Sequence, residues 1–256
     1  MSVLSHLTNL SNTIKIQDSE RFSIDRSINN LSTKVGNHLY NVKRKFVFGS
    51  YDRKTILKRY YDSSSDVDFM IVFSDANSYT PQTMMNRIKT FVQNQYSRSE
   101  IYQSSPTIVL ELNHIKFELV PAYESWGTLY IPAPASSYTR WISTNPNQIK
   151  NDLNNCNQLN NYLIRKVVRL LKYWNVKNNK VYSSFELESN ITGTTYWFCI
   201  NLKDYLFKAI NNLPTYNLPD YKLVKVNRLK SKIAEVLELE RTGFLLTAES
   251  KIKEEF

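Results

Sequence analysis

The sequence predicts an α+β protein with a mixed-sheet lobe, a C-terminal helical lobe and a cleft between the lobes. Three observations lead to this prediction. Short apolar runs of strand length occupy the first half of the chain, helical periodicity begins near residue 145, and two aspartates precede the most apolar strand run. We place the sheet lobe, with N-terminal helices, at residues 1–140 and the helical lobe at residues 141–256.

The elements of the first lobe follow from the spacing of its apolar residues. Residues 18–38 have apolar side chains at helical spacing, and a second helix runs from Pro81, a residue favoured in a first helical turn, to about Tyr96. Alternating or continuous apolar runs predict strands over residues 46–48, 67–73, 107–113 and 115–121. Pro132 and Pro134 indicate an extended passage away from the sheet.

The second lobe has helical periodicity. An apolar stripe is formed by Leu163, Val167, Leu170, Leu171 and Trp174. Two further amphipathic stretches run from about Trp197 to Leu213 and from about Leu223 to Leu239. The sequence therefore predicts that helices make up most of this lobe.

Composition excludes several classes of protein. With 256 residues, 42% hydrophobic and 13% aromatic, the chain is suited to a globular core rather than to disorder. Cys156 and Cys199 provide neither a disulfide framework nor a zinc-ligand spacing. The N-terminus lacks a signal-peptide pattern and no run approaches the roughly 18 apolar residues of a membrane span. We therefore expect a cytoplasmic protein without membrane contact.

Net charge indicates the kind of partner. Lys and Arg number 33 against 23 Asp and Glu, which gives a formal net charge of +10. This balance favours polyanions, either nucleoside triphosphates in a cleft or an RNA or DNA strand on a basic surface. The alternative is a solvated basic surface that has no partner.

The pattern that bears chemistry is Gly49-Ser50 followed by Asp66-Val67-Asp68. Strand side chains alternate, so Asp66 and Asp68 point to the same face. Two like charges at this spacing require a cation, and a pair of Mg²⁺ ions meets that requirement. The Gly-Ser turn adds a tight bend and a hydroxyl of the kind that holds phosphate. The pattern predicts metal-dependent nucleotidyl transfer, and the alternative is a pair of aspartates that cap a strand beside solvent.

Short blocks between about residues 40 and 190 carry a family resemblance. In chain order they are GSYDRKT at 49–55, DVD at 66–68, FELVPA at 117–122, WISTNP at 141–146, LLKYWN at 170–175 and SSFELE at 183–188. Their order resembles the DNA polymerase β-type nucleotidyltransferases, and within them the bacterial cGAS/DncV-like nucleotidyltransferases (CD-NTases) of anti-phage signalling (CBASS). This resemblance implies a fold with a polymerase β-like sheet lobe, a C-terminal helical lobe and an active site in the interlobe cleft.

The resemblance also implies a role for each matching residue. Asp66, Asp68 and Glu118 would be the catalytic carboxylates and would bind two Mg²⁺ ions, with Mn²⁺ as the alternative ion. The residues implied to contact the nucleotide are Gly49, Ser50, Arg53, Lys172, Ser184 and Phe185. Among them, Ser50, Lys172 and Ser184 would contact phosphate, and Phe185 would stack on the nucleobase.

Several of these assignments have alternatives. Glu118 stands where the family usually has Asp, and Glu111 on the preceding strand is the substitute candidate. Arg53 is alternatively a solvated loop charge, Lys172 a surface lysine on an amphipathic helix, and Phe185 an ordinary core residue.

Three functions remain open at this point. The resemblance favours an enzyme that joins NTPs (ATP, GTP or pyrimidine NTPs) into a cyclic di- or trinucleotide messenger for anti-phage defence and releases pyrophosphate. The alternatives are a nucleotidyltransferase that acts on an RNA 3′ end or a protein hydroxyl, and a non-catalytic nucleotide- or RNA-binding relative. The net charge adds the hypothesis that RNA or DNA on a basic surface activates the enzyme.

Overall fold

A mixed sheet forms the framework of the first part of the chain in the computed structural model, which describes residues 2–104, 106–134 and 140–256. The strands are β1 (Val42–Phe48), β2 (Asp66–Phe73), β3 (Glu100–Ser104), β4 (Thr107–Glu111), β5 (Lys116–Ser125), β6 (Thr128–Pro132) and β7 (Trp141–Thr144). Their order is β1-β2-β5-β4-β3, and β6 and β7 extend from β5. Strands β2 and β5 are parallel, so their N-terminal ends lie side by side.

Helices cover one face of this sheet. They are α2 (Asp18–His38), the short α3 (Gly49–Asp52) and α4 (Pro81–Gln95), with a 3-10 turn at Ala76–Ser78. Helix α4 begins where Thr80 accepts a hydrogen bond from the Thr83 N–H at 3.2 Å. The main hydrophobic core lies between α2, α4 and this face of the sheet.

The period-two alternation of β2 divides its side chains between two environments. Val67, Phe69, Ile71 and Phe73 face the main core. Met70 and Val72 face the other side, where a smaller apolar cluster includes Ala122 and Leu129. Asp66 and Asp68 share this second face by alternation, at the end where β2 begins.

The second part of the chain is helical. Its helices are α5 (Pro146–Leu159), α6 (Ile164–Lys177), α7 (Ser184–Thr192), α8 (Leu202–Asn211), α9 (Asp220–Arg241) and α10 (Leu245–Glu255). The first helix of the chain, α1 (Val3–Thr13), packs against α6, α8 and α10. No helix in the described ranges is both long enough and apolar enough to cross a bilayer.

The chain divides into two units, and the predicted α+β class is confirmed. The sheet unit comprises Ile16–Arg59 and Ser64–Gln148, and the helical unit comprises Met1–Lys15, Tyr60–Ser63 and Ile149–Phe256. This division differs from the expected one at residue 140. Residues 141–148 stay with the sheet because β7 pairs with β6, and α1 joins the helical unit because its apolar side chains pack there.

Most predicted elements lie close to the observed ones, with several differences. Pro132 does not lead away from the sheet, because it lies in β6 and pairs with Trp141 of β7. The strand expected over residues 107–113 ends at Glu111, because a turn closes with the Leu112 N–H donating to the Ile115 carbonyl at 2.9 Å. The helix expected from Trp197 begins only at Leu202, because Asn201 accepts hydrogen bonds from the first-turn N–H groups and caps the helix there.

Candidate active site

The three predicted catalytic carboxylates lie on adjacent parallel strands. Asp66 and Asp68 stand at the beginning of β2, and Glu118 stands near the beginning of β5. Asp68 lies directly opposite Glu118 in the strand register, and Asp66 lies opposite Lys116. Because register partners and residues two apart share a face, the three carboxylates belong to one patch of the sheet surface. The alternative that Asp66 and Asp68 merely cap a strand does not account for this third carboxylate.

Gly49 provides the space that Asp68 occupies. It follows β1 directly, and its φ of +71° lies in the left-handed region that favours glycine. A Cβ at this position would lie 1.7 Å from Oδ2 of Asp68 and 2.6 Å from its Cγ. The glycine is therefore required both by the backbone conformation and by the close approach of the carboxylate.

The turn after β1 is held by its own backbone. The Ser50 carbonyl accepts hydrogen bonds from the N–H groups of Thr55 and Ile56, at 2.9 and 3.2 Å. The Tyr51 hydroxyl donates to Oδ1 of Asp25 on α2 at 2.7 Å, and burial together with this carboxylate raises the pKa of Tyr51. These bonds fix Gly49 and Ser50 beside the start of β2.

Arg53 is not a solvated loop charge. It directly follows α3, and only 8% of its surface is exposed. Its N–H donates to the Gly49 carbonyl at 3.1 Å, so its backbone belongs to the same turn. Contact between Arg53 and a nucleotide stays a prediction.

Lys116 joins two of the carboxylates. Its Nζ lies 3.5 Å from Oδ2 of Asp66 and 3.2 Å from Oε1 of Glu118. Burial and then the nearby Glu118 carboxylate raise the pKa of Asp66 to about 6, and Lys116 acts in the opposite direction. Burial alone would lower the pKa of Lys116, but the two carboxylates raise it above its usual value. Lys116 and the two carboxylates therefore stabilise each other's charged forms.

Glu118 is better placed than Glu111 to be the third carboxylate. Oε2 of Glu118 also accepts a hydrogen bond from the Thr107 hydroxyl at 3.5 Å. On β4, Glu111 lies opposite Lys116, and Val109 lies opposite Glu118. The Glu111 carboxylate is already paired with Arg59 at 2.6 Å. The geometry favours Glu118 because it lies directly opposite Asp68.

The donor set suits divalent cations of the magnesium type. Carboxylate oxygens from three neighbouring strand positions are hard ligands, and the pKa of Asp66 is raised first by burial and then by the neighbouring Glu118 carboxylate. As the side chains stand, no three His, Cys, Asp or Glu residues of the described ranges form a ready-made metal site. Asp66, Asp68 and Glu118 match a divalent ion in ligand type and lie on one face of the sheet. In this structure the Lys116 ammonium contacts Asp66 and Glu118.

The other predicted nucleotide contacts, Lys172, Ser184 and Phe185, belong to the helical unit. Among them, Lys172 is unexpectedly buried and ion-paired. It is buried on α6, and its Nζ lies 2.6 Å from Oε1 of Glu188 on α7, with the two side chains 8% and 1% exposed. Lys172 is therefore not the surface lysine of the alternative interpretation. Its predicted contact with a triphosphate is not tested by this pairing and stays a prediction.

Ser184 and Phe185 occupy the exposed first turn of α7. Ser183 caps this helix by accepting from the Glu186 N–H at 3.2 Å, and the Glu186 carboxylate accepts from the Ser183 N–H at 2.8 Å. Phe185 is 57% exposed, which excludes the alternative that it is an ordinary core residue. An aromatic ring presented by a rigid helix start has the surface that base stacking needs.

Three lysines in the first half of α9 contact backbone carbonyl groups. The ammonium groups of Lys222, Lys225 and Lys230 each donate to a backbone carbonyl, at 2.8, 2.9 and 2.8 Å respectively. Part of the positive charge that suggested a polyanion partner therefore serves to satisfy carbonyl groups at chain turns.

Sequence reasoning missed two charged residues, Lys116 beside the carboxylates and Glu188 beside Lys172. For Lys116 a signal was present, because it precedes Glu118 by two residues and strand alternation places both on one face. For Glu188 only a weak signal was available, because its partner Lys172 lies on a different helix and the packing of α6 on α7 brings them together.

The mixed sheet and the helices of the second unit form an α+β fold that matches solved nucleotidyltransferases of the cGAS/DncV-like class. Residues 1–157 match the family described as Second Messenger Oligonucleotide or Dinucleotide Synthetase domain (SMODS). The chain belongs to this family, and the predicted relationship to the cGAS/DncV-like nucleotidyltransferases is confirmed.

Solved structures share the fold over most of the chain. CdnC of E. coli MS115-1, in a complex with HORMA-deltaN, has a TM-score of 0.73 at 12% identity and covers 99% of this chain and 96% of its own. The Bradyrhizobium diazoefficiens CD-NTase CdnG, in complex with GTP, has a TM-score of 0.73 at 11% identity and covers 99% and 98%. DncV cyclic AMP-GMP synthase of Vibrio cholerae has a TM-score of 0.62 at 12% identity and covers 80% and 67%. At these identities the likeness establishes the fold.

One curated relative is similar in sequence. It is a probable cyclic nucleotide synthase, IK1_05630, of Bacillus cereus (strain VD146), with 24% identity over 188 residues. The alignment covers 59% of this chain and 55% of the relative, so the chain spans about half the length of that protein.

Proposed function

We propose that this protein is a nucleotidyltransferase that joins NTPs into a cyclic di- or trinucleotide second messenger and releases pyrophosphate. The observation that carries the proposal is the position of Asp66, Asp68 and Glu118 at the paired beginnings of β2 and β5. Membership of a family of second messenger oligonucleotide or dinucleotide synthetase domains supports this reaction. So do the names of its relatives, which include a probable cyclic nucleotide synthase and a cyclic AMP-GMP synthase.

In this proposal Asp66, Asp68 and Glu118 would hold two Mg²⁺ ions, with Mn²⁺ as the alternative. Ions bound there supply charge neutralisation for the triphosphate and lower the pKa of the attacking 3′-hydroxyl. The contribution of the protein is positional, because phosphoryl transfer depends mainly on alignment and charge. Gly49 admits the Asp68 carboxylate, and the Ser50 turn beside it is held by backbone hydrogen bonds.

We propose that residues of both the sheet unit and the helical unit contact the nucleotide. Ser50 and Ser184 contact phosphate, and the exposed Phe185 stacks on the base. Lys172 reaches the triphosphate only if the nucleotide draws its ammonium from Glu188, or if both anions share it. Relatives solved with ATP or with GTP support nucleoside triphosphates as substrates. We further propose that the messenger acts in anti-phage defence in the cytoplasm.

The decisive experiment separates the three candidate functions. The protein is incubated with each labelled NTP and with all four together, in Mg²⁺ or Mn²⁺, and the products are treated with phosphatase and identified by mass spectrometry. A phosphatase-resistant small product supports cyclisation. Label that appears only on added RNA or protein would instead identify a transferase with another acceptor.

The matched control is the Asp66→Asn, Asp68→Asn double variant, which should be folded and should form no product. Persistent synthesis by this variant would contradict the assigned carboxylates. A parallel set of reactions with nuclease-treated protein, and with added duplex RNA or DNA at low and moderate salt, tests activation by nucleic acid. Equal rates in every arm would remove that hypothesis.

A further inference from the structure

The Lys116 ammonium occupies a distinctive place in the sheet. It projects from β5 two residues before Glu118 and lies opposite Asp66 in the register, and its side chain is 14% exposed. It contacts Oδ2 of Asp66 at 3.5 Å and Oε1 of Glu118 at 3.2 Å. One cation thus bridges two carboxylates that stand on different strands.

A second cation, Arg59, pairs with another acidic neighbour of Lys116. Glu111 lies opposite Lys116 on β4, and a carboxylate in this position would compete for the ammonium. Arg59 pairs with Glu111 at 2.6 Å and also donates to the Leu112 carbonyl at 3.4 Å. Because Arg59 holds Glu111, Lys116 remains with the two carboxylates of the candidate active site.

The carboxylate oxygens of Asp66 and Glu118 can bind either the Lys116 ammonium or a divalent metal ion. A lysine ammonium and a divalent ion both need the lone pairs of Asp66 and Glu118, and an ammonium in contact with them repels an incoming cation. Unlike a bound ion, Lys116 is covalently attached to β5, so its local concentration does not fall when the metal concentration does.

We propose that Lys116 is a positioning residue that holds Asp66 and Glu118 together in the metal-free protein and exchanges with divalent cation when the metal and nucleotide bind. The proposal rests on the proposed function in so far as it assigns these carboxylates to metal. It has two consequences. Lys116 stabilises the metal-free site against carboxylate repulsion, and it weakens the affinity for metal in the absence of nucleotide, so that an occupied site is coupled to the arrival of the triphosphate.

The test compares the binding of Mn²⁺, without nucleotide, to the wild-type protein and to Lys116→Met, by electron paramagnetic resonance of free Mn²⁺. A unit charge about 5 Å from a doubly charged ion corresponds, at the dielectric constant of water, to roughly 16-fold in affinity without salt and to about fourfold at physiological ionic strength. We therefore expect Lys116→Met to bind Mn²⁺ at least about fourfold more tightly, and its metal-free Tm to fall below that of the wild type. Lys116→Arg should keep the weak wild-type affinity because it retains the charge.

Lys43→Met is the control for the loss of one positive charge. Lys43 lies on β1 and pairs with Glu124 at 2.9 Å, and its side chain is 54% exposed. Its removal should change Mn²⁺ affinity less than twofold. If Lys116→Met is poorly folded by circular dichroism, Lys116→Gln replaces it, because an amide keeps a hydrogen bond without the charge.

An Mn²⁺ affinity that is unchanged or weaker in folded Lys116→Met overturns the inference, as does the absence of Mn²⁺ binding in all variants. Product formation is assayed separately on the wild-type protein. Tighter Mn²⁺ binding with no nucleotide product would contradict the proposed function while upholding the role of Lys116. Product formation with unchanged Mn²⁺ affinity would contradict only the role of Lys116.

Discussion

The carboxylate of Asp68 fills the space beside Gly49 into which any side chain would have to project. The distance from an added Cβ to Oδ2 of Asp68 would be 1.7 Å, and Gly49 has a φ of +71°. The residue that follows β1 and a carboxylate of the candidate site therefore meet at one contact, so the glycine is a structural condition for the position of Asp68.

Gly49→Ala should reduce nucleotide synthesis by about 100-fold or more, because a displacement of about 1 Å in a reacting group has that effect on the rate. The left-handed backbone should also lower the free energy of unfolding by more than about 1 kcal/mol. Gly127→Ala is the matched control, since Gly127 has a φ of +77° but no atom within 4 Å of an added Cβ. It should show the backbone strain and retain activity. Equal activities of the two folded variants would contradict the role of Gly49.

Asp66 should make the stability of the metal-free protein depend on pH. Its pKa is raised from an ordinary 3.8 to about 6, so the folded state binds this proton more tightly than the unfolded state. The free energy of unfolding from this group is therefore greatest below pH 3.8 and falls as the pH rises from about 4 to about 6. The wild-type protein loses on the order of 1–3 kcal/mol of unfolding free energy over this pH range. A variant whose residue 66 cannot ionise should not show this loss.

The measurement is the Tm of the wild-type protein and of Asp66→Asn across pH 4 to 7.5, in a chelating agent. The difference between Asp66→Asn and wild type should rise in favour of the variant between pH 4 and 6 and then level off. Paired carboxylates with lowered pKa values, such as Asp75 and Glu186, act in the opposite direction in both proteins and cancel in this difference. A difference that is constant with pH would show that Asp66 is ionised as readily in the folded as in the unfolded state.

Local patterns predicted much of the sheet unit. The helix over residues 18–38 has the predicted bounds, and the strand after Asp66 ends at Phe73 as expected, because apolar periodicity and flanking residues specify both. The pairing of Asp68 with Glu118 was accessible only through family resemblance, since residues 50 apart are brought together by the parallel pairing of β2 and β5. Strand register is a tertiary property that no local pattern contains.

The helical unit was harder to predict for two reasons. The amphipathic pattern from Trp197 was read as helix, but Phe198 has a φ of 63° and Asn201 starts the helix later, so cap chemistry overrode apolar spacing. The burial of Lys172 depends on Glu188 of another helix, and its sequence neighbours indicate only an amphipathic helix. The late helix start is determined by the local cap residue Asn201, whereas the burial of Lys172 is determined by the packing of α6 on α7.

Lys172 and Glu188 form a buried ion pair whose two members should be energetically coupled. The loss of Lys172 leaves the Glu188 carboxylate, 1% exposed, without its cation at 2.6 Å. Lys172→Met should therefore lower the free energy of unfolding by about 3–5 kcal/mol. The double variant Lys172→Met, Glu188→Leu should recover much of that loss, as measured by urea unfolding in a double-mutant cycle.

The double variant also tests the proposed contact of Lys172 with the triphosphate separately from its effect on stability. If Lys172 contacts the triphosphate, the restored double variant stays folded but has a higher KM for NTP or a lower kcat than the wild-type protein. Wild-type kinetics in a folded double variant would show that Lys172 is structural only. Independent effects of the two single substitutions on stability would contradict the coupling itself.

Phe185 should contribute to nucleotide affinity through its ring. It is 57% exposed in the first turn of α7, where the Ser183–Glu186 capping box fixes the helix start. Stacking of an aromatic side chain on a base contributes roughly 1–3 kcal/mol, so Phe185→Ala should weaken NTP binding by about 5- to 150-fold, whereas Phe185→Tyr should bind as the wild type does. Phe244→Ala is the control, because Phe244 of the same unit is 61% exposed and has no predicted contact with nucleotide. Binding is measured by calorimetry with a non-hydrolysable NTP analogue, and equal affinities of the two alanine variants would contradict the stacking assignment.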